Sequence, residues 1–283
     1  VTVIQVIQRS TDFLAKKGVD SPRLQVELLL AHLLKLPRMG LYLNFERVLN
    51  EAEMDNLRQL VVRRGEREPL QHIVGSTSFC GVEMQVSPAV LIPRPETELL
   101  AEQAWKFLGG LPAGASAFDF GTGSGCLAVV LALKCPAAKI TAVDVSPEAL
   151  EVAKKNAAAN HVEERVEFRL GDGFRAVAGE QFDLIVSNPP YIPGGEITSL
   201  EPEVRDHDPR LALDGGADGL DFYRILAAES AAFLRKNGRV MLELGHGQDA
   251  AVSKLFQEQM WIVEAVLPDY NGVPRILKAL RPD

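Results

Sequence analysis

"ASAFDFGTGSGCLAVVLALK", residues 115–134, sets the architecture of this chain. ASAFDF reads as a strand and GCLAVVLALK as a helix, with glycines crowded into the turn between them. Glycine at the C-terminal end of a first strand lets backbone approach a ligand closely, and the next helix offers that ligand its N-terminus. Gly121, Gly123 and Gly125 form GxGxG, with Thr122 and Ser124 interleaved. The dinucleotide fingerprint GxGxxG requires glycine or a close substitute at 126, where this chain has Cys126. Alone, such a cluster is weak evidence, its bland reading being a tight strand-to-helix turn.

The flanking sequence alternates in the same way. KITAVDV is a second strand, and its Asp144 stands where a carboxylate can accept both hydroxyls of an adenosine ribose. PEALEVAKKNAAAN is a helix opened by Ser146, and RVEFRL and QFDLIVS are strands. FYRILAAESAAFLRK reads as a helix, RVMLELG as a strand, and the tail as a further helix with strands WIVEAVL and RILKAL. The expected fold is α/β: a doubly wound, mostly parallel seven-stranded sheet.

Before it, residues 1–72 read as a small helical bundle, with Leu24, Leu28, Leu29, Ala31 and Leu34 at helical spacing. Ser21-Pro22 and Asn50 are start signals. This part is expected to serve recognition rather than catalysis. Residues 73–90 form a hairpin linker, drawn from HIVGSTSF and VEMQV, and residues 91–283 the catalytic domain.

Composition narrows the function. The net charge of −8 argues against a protein that holds duplex nucleic acid by neutralising phosphates, and the basic cluster at Arg63, Arg64 and Arg67 lies among acids. Cys80, Cys126 and Cys135 are odd in number and form no CxxC, so a reducing cytoplasm is expected rather than a disulfide framework or zinc site. The five histidines share no metal-ligand spacing, and no metal is expected. There is no apolar run of about 18 residues to span a membrane. VTVIQVIQRS lacks the pattern of a secretory signal, and a short piece is expected to precede Val1.

The apolar run FDLIV ends in SNPPYI, residues 187–192. Two adjacent prolines fix φ twice and stiffen the strand exit. The Asn188 side-chain oxygen and the Pro189 carbonyl then form two acceptors at fixed positions, matched to the two hydrogens of a planar NH2 group. Tyr191 adds an aromatic wall. Ligands of open parallel sheets bind beyond the C-terminal strand edge, where strand order reverses, so the glycine turn and NPPY face one crevice. The bland reading is a stiff strand exit in which Asn188 satisfies local backbone. PRPETE, residues 93–98, reads equally as a wall of the donor site or as a linker ending in a helix start. Glu243, in ELGHG, reads as structural.

At these residues the chain resembles the class I S-adenosylmethionine-dependent methyltransferases. It resembles more closely the HemK/PrmC family, the N5-glutamine methyltransferases of class 1 peptide chain release factors. The likeness takes in the helical N-terminal region, VLIPRPETE, DFGTGSG, VDVSPEAL, SNPPYI and LALDGGADGL. It implies S-adenosylmethionine as donor, S-adenosylhomocysteine as product, and a release factor as protein partner, with no stable nucleic-acid or membrane association. It implies that Gly121, Thr122, Gly123, Ser124 and Gly125 border the methionine part of the donor and that Asp144 binds its ribose. Asn188, Pro189, Pro190 and Tyr191 would hold the glutamine of a Gly-Gly-Gln motif, with Asn188 also bordering the donor. The family commonly has tryptophan after Asp172; here Gly173 stands there, so the adenine contact is expected either to be weaker at Gly173 or to come from Phe174. His207-Asp208-Pro209 replaces the family's aromatic-Glu-Pro, which implies a different lid geometry.

Three rival readings remain at this point. An adenine or guanine amino methyltransferase would use NPPY in the same way, since a flipped base presents the same NH2; the acidic charge disfavours it. A binding protein without turnover would not need all three elements intact. A nicotinamide oxidoreductase is disfavoured by Cys126.

Overall fold

The computed structural model describes residues 1–281. They divide into two compact units, residues 1–76 with 201–207, and residues 77–200 with 208–281.

The first unit is helical. Its elements are α1 (Val3–Lys16), α2 (Pro22–Leu34), α3 (Arg38–Leu43), α4 (Glu51–Gly65) and α5 (Leu70–Val74). Capping boxes start two of them. Thr2 and Gln5 exchange side-chain and backbone bonds at α1, and Asn50 and Glu53 do so at α4. Ser21, expected to cap α2, makes no side-chain cap bond; its backbone is left-handed at φ 47° rather than extended, and Pro22 stands at the start of the helix. Val6, Leu14, Val26, Leu30, Leu57 and Val61 meet in one core. The segment 201–207, assigned from sequence to the catalytic domain, groups here instead. Glu203 accepts from Arg64 and Arg67, which fixes that return.

The second unit opens with a two-stranded hairpin, β1 (Ser76–Phe79) and β2 (Val82–Gln85). The hairpin is shorter than expected. His72, Ile73 and Val74 belong to α5, which Pro69 precedes and Gly75 ends at φ 85°. Next come α6 (Pro95–Gly109), β3 (Ser116–Phe120), α7 (Cys126–Lys134), β4 (Lys139–Asp144), α8 (Pro147–Ala159), β5 (Val166–Leu170) and β6 (Phe182–Ser187). After the excursion through α9 (Pro202–Arg205) the chain forms α10 (Asp221–Glu229), β7 (Leu234–Glu243), α11 (Asp249–Glu258), β8 (Ile262–Pro268) and β9 (Pro274–Leu280). The helix expected over 222–236 stops early, because Leu234 pairs with Phe182 and is drawn into the sheet.

The seven strands run β5-β4-β3-β6-β7-β9-β8, all parallel from β5 to β7, with β9 antiparallel to both neighbours. Alternate residues of the central strands face opposite layers. Ala117, Ala142, Leu184 and Met241 pack towards α6 and α7, whereas Phe118, Val143, Ile185 and Val240 pack towards α10 and α11. The chain leaves β3 on one side to make β4 and β5, then crosses to make β6 on the other. That reversal opens a crevice at the C-terminal ends of β3 and β6.

Candidate active site

A cavity occupies this crevice. Gly121, Thr122, Gly123 and Ser124 from the turn after β3 line it, with Asp144 after β4, Gly173 beyond β5, and Asn188, Pro189 and Pro190 after β6. Leu91, Pro93, Arg94 and Thr97 close one side and Leu211 and Phe222 another. PRPETE is therefore a wall of the cavity and also the start of α6.

Backbone geometry explains the glycines. Gly121 and Gly123 have φ of 71° and 54°, and a Cβ on either would point into open space, the room a ligand needs. Gly125 does something else. It is absent from the cavity wall and caps α7 at φ 78°, where a Cβ would stand 2.9 Å from that of Ala153. The loop is pinned from below: buried Asn156 donates to Ser124 O at 2.8 Å and to Gln85 O at 2.9 Å. Asp144 accepts from the Gly123 N–H at 2.8 Å and from the Ser146 N–H at 2.9 Å. Turn and carboxylate thus form one preassembled unit. Ser146, not Asp144, caps α8.

Asp119, at 1% exposure, accepts the Thr122 hydroxyl at 2.6 Å. Desolvation pushes its carboxyl up to about 7, with the Asp144 charge adding to the rise and the Thr122 bond opposing it.

The two prolines of the NPP segment offer acceptors only. Neither Pro189 nor Pro190 carries an N–H, so the strip offers carbonyls and the Asn188 amide. It is clamped by the LALDGG segment: Ile192 N–H donates to Leu213 O at 3.0 Å and Gly215 N–H to Ile192 O at 2.9 Å. Gln248 Nε2 donates to Tyr191 O at 2.9 Å. Asn188 Nδ2 donates to Thr97 Oγ1 at 3.1 Å, and Thr97 Oγ1 donates to Glu243 Oε2 at 2.5 Å.

Two expected contacts lie elsewhere. Tyr191 is absent from the cavity wall; its ring packs against the sheet core and its hydroxyl donates to Glu243 Oε1 at 3.4 Å. Phe174 stacks on Phe233 inside the core. The aromatic residues on the cavity are Phe120 and Phe222, and Phe120 packs on Gly173; a Cβ on Gly173 would stand 2.6 Å from the Phe120 ring. Thr97, Asp119, Asn156 and Glu243 were not singled out as site residues from the sequence. A visible signal existed for Glu243, an acid within the otherwise apolar strand end MLEL.

Among the described residues no group of three or more His, Cys, Asp or Glu is placed to hold a metal ion, and no helix is long and apolar enough to cross a membrane.

A seven-stranded sheet with one antiparallel strand, a glycine turn, a strand-end acid and a polar exit at the switch point define a class I methyltransferase fold. A methyltransferase crystal structure from Pyrococcus furiosus has this fold, at 21% identity and a TM-score of 0.53 over 73% of this chain and 92% of that one. Residues 5–75 match the PrmC N-terminal domain family and residues 97–203 the methyltransferase small domain family. The release factor glutamine methyltransferase of Geobacter sulfurreducens is 44% identical over 98% of this chain and 95% of its own length. That of Chlorobaculum tepidum is 42% identical over 99% of this chain and 97% of its own. The chain belongs to the release factor glutamine methyltransferase family.

Proposed function

We propose that this enzyme transfers a methyl group from S-adenosylmethionine to the side-chain nitrogen of the glutamine in the Gly-Gly-Gln motif of class 1 release factors. One observation carries the reading. The strip Asn188-Pro189-Pro190, with its amide oxygen and proline carbonyls, and the glycine turn with Asp144 line the same cavity, in a chain that matches release factor glutamine methyltransferases over nearly its whole length.

The residues fit the donor. Open space above Gly121 and Gly123 admits its methionine part, Asp144 presents a carboxylate for the ribose, and Gly173, Phe120 and Val145 offer surface to the adenine. When bound, S-adenosylmethionine supplies an electrophilic methyl carbon on a sulfonium.

An amide nitrogen is a poor nucleophile because its lone pair is delocalised into the carbonyl. Asn188 Oδ1 and Pro189 O accept its two N–H bonds and so favour the positively charged, more tetrahedral nitrogen of the transition state. Orientation contributes heavily, on the order of 7–11 kcal/mol in well-aligned reactions. The methylated amide cation is acidic enough to lose its proton without a strong base, consistent with a cavity wall that carries neither histidine nor lysine.

The test is methyl transfer from labelled donor to purified release factor, with DNA and ribosomal RNA in parallel. Label on the Gly-Gly-Gln glutamine, located by mass spectrometry, is the expected result. Label in nucleic acid alone would reverse the assignment to the amino methyltransferase of nucleic acid.

A further inference from the structure

Asn188 lines the cavity, but which end of its amide faces a substrate depends on what holds the other end. A threonine hydroxyl has one proton to give and two lone pairs to offer. Thr97 gives its proton to Glu243 Oε2 at 2.5 Å, so it has only lone pairs left for Asn188. Lone pairs bind N–H, and the contact is Asn188 Nδ2 to Thr97 Oγ1 at 3.1 Å.

We infer that Glu243 and Thr97 are positioning residues that fix the Asn188 amide with its oxygen towards the substrate. The inference rests on the assignment of Asn188 to the substrate site above. The relay is rigid at each step. Thr97 lies in the first turn of α6 and is 2% exposed. Glu243 is 1% exposed on β7, paired with Ile276 of β9. Tyr191 donates to its second oxygen, and Tyr223 donates to its backbone carbonyl at 2.9 Å. Two hydroxyl donors converge on one carboxyl, one at each oxygen, an arrangement suited to its ionised form, which prevails above about pH 7. Burial and the Glu96 charge oppose ionisation, and Arg275 and the bonds from Thr97 and Tyr191 favour it. With the acceptor lost, Thr97 is free to donate to Asn188 Oδ1. The amide then turns over and presents NH2 to a substrate NH2.

The test compares Thr97→Val, which deletes the hydroxyl, with Thr97→Ser, which keeps it. In release factor methylation Thr97→Val is expected to lower kcat by about 10- to 100-fold, with KM and donor affinity within about threefold, while Thr97→Ser stays near wild type. A second readout needs no turnover. The Asn188 side-chain amide protons, followed by NMR in labelled protein, are expected to exchange at least about tenfold faster in Thr97→Val than in wild type or Thr97→Ser. Should valine unfold the domain, Thr97→Ala takes its place in both measurements. Equal behaviour of the two variants in both readouts overturns the relay. Absence of transfer by wild type overturns the proposed function instead, and the exchange rates still decide the relay.

Discussion

Replacing Gly215 by alanine tests whether the rigid NPP strip matters to turnover. A Cβ at this position would stand 2.8 Å from Tyr191 Cα, 2.9 Å from Gly219 Cα and 2.9 Å from Pro190 O. All three neighbours are backbone, so no side chain can rotate out of the way. Ordinary contact lies at about 3.5–4 Å, so the strip must move by roughly 1 Å. A shift of that size at a reacting group costs about 100-fold in rate. Overpacking should also cost about 1–3 kcal/mol of stability, equivalent to roughly 2–10 °C in Tm for a domain of this size. Steady-state methylation of release factor reads the first effect, and calorimetric titration with S-adenosylhomocysteine provides the control. Donor affinity should change by less than about threefold, because the glycine turn is held separately by Asn156 and Asp144. A folded Gly215→Ala variant with kcat within threefold of wild type would refute the argument.

Further expectations concern donor binding, packing and pH. Asp144→Ala removes the carboxylate assigned to two ribose hydroxyls; at about 1.5–3 kcal/mol per charged hydrogen bond, affinity for S-adenosylhomocysteine should fall at least about 100-fold by titration. Gly173→Ala places a Cβ 2.6 Å from the Phe120 ring at φ 53°, and combining it with Phe120→Leu should recover part of the lost stability, a coupling of at least about 0.5 kcal/mol in a double-mutant cycle. Burial lifts both Asp119 and Glu243 to about 7 from ordinary values of 3.8 and 4.5. In that window the folded state binds more protons than the unfolded chain, so stability should fall as pH rises from about 4 through 7 and level off above. Denaturation between pH 5 and 8 checks this, and Asp119→Asn should flatten part of the slope; an unchanged slope would count against a protonated Asp119.

The order of elements and the catalytic edge of the sheet could be read in the sequence because each rests on local chemistry. Glycine at 121, 123 and 125 needs positive φ, Pro147 and Pro95 start helices, and the run 184–186 of β6 is apolar because both its faces are covered. What escaped was set by residues far apart in the chain. Leu234 ends a helix early because it pairs with Phe182. Segment 201–207 follows arginines at 64 and 67. Thr97 and Glu243 are 146 positions apart and meet only once α6 lies against the sheet. Tyr191 and Phe174 read as wall residues because aromatic rings suit planar ligands, yet both found more contact in the core, and Phe120 took the place on the cavity.

A crystal structure with S-adenosylhomocysteine and a Gly-Gly-Gln peptide would examine the amide-holding geometry itself. The glutamine nitrogen is expected within about 3.2 Å of both Asn188 Oδ1 and Pro189 O, with the donor ribose on Asp144. A glutamine held elsewhere, or an Asn188 that turns its nitrogen to the substrate, would contradict it.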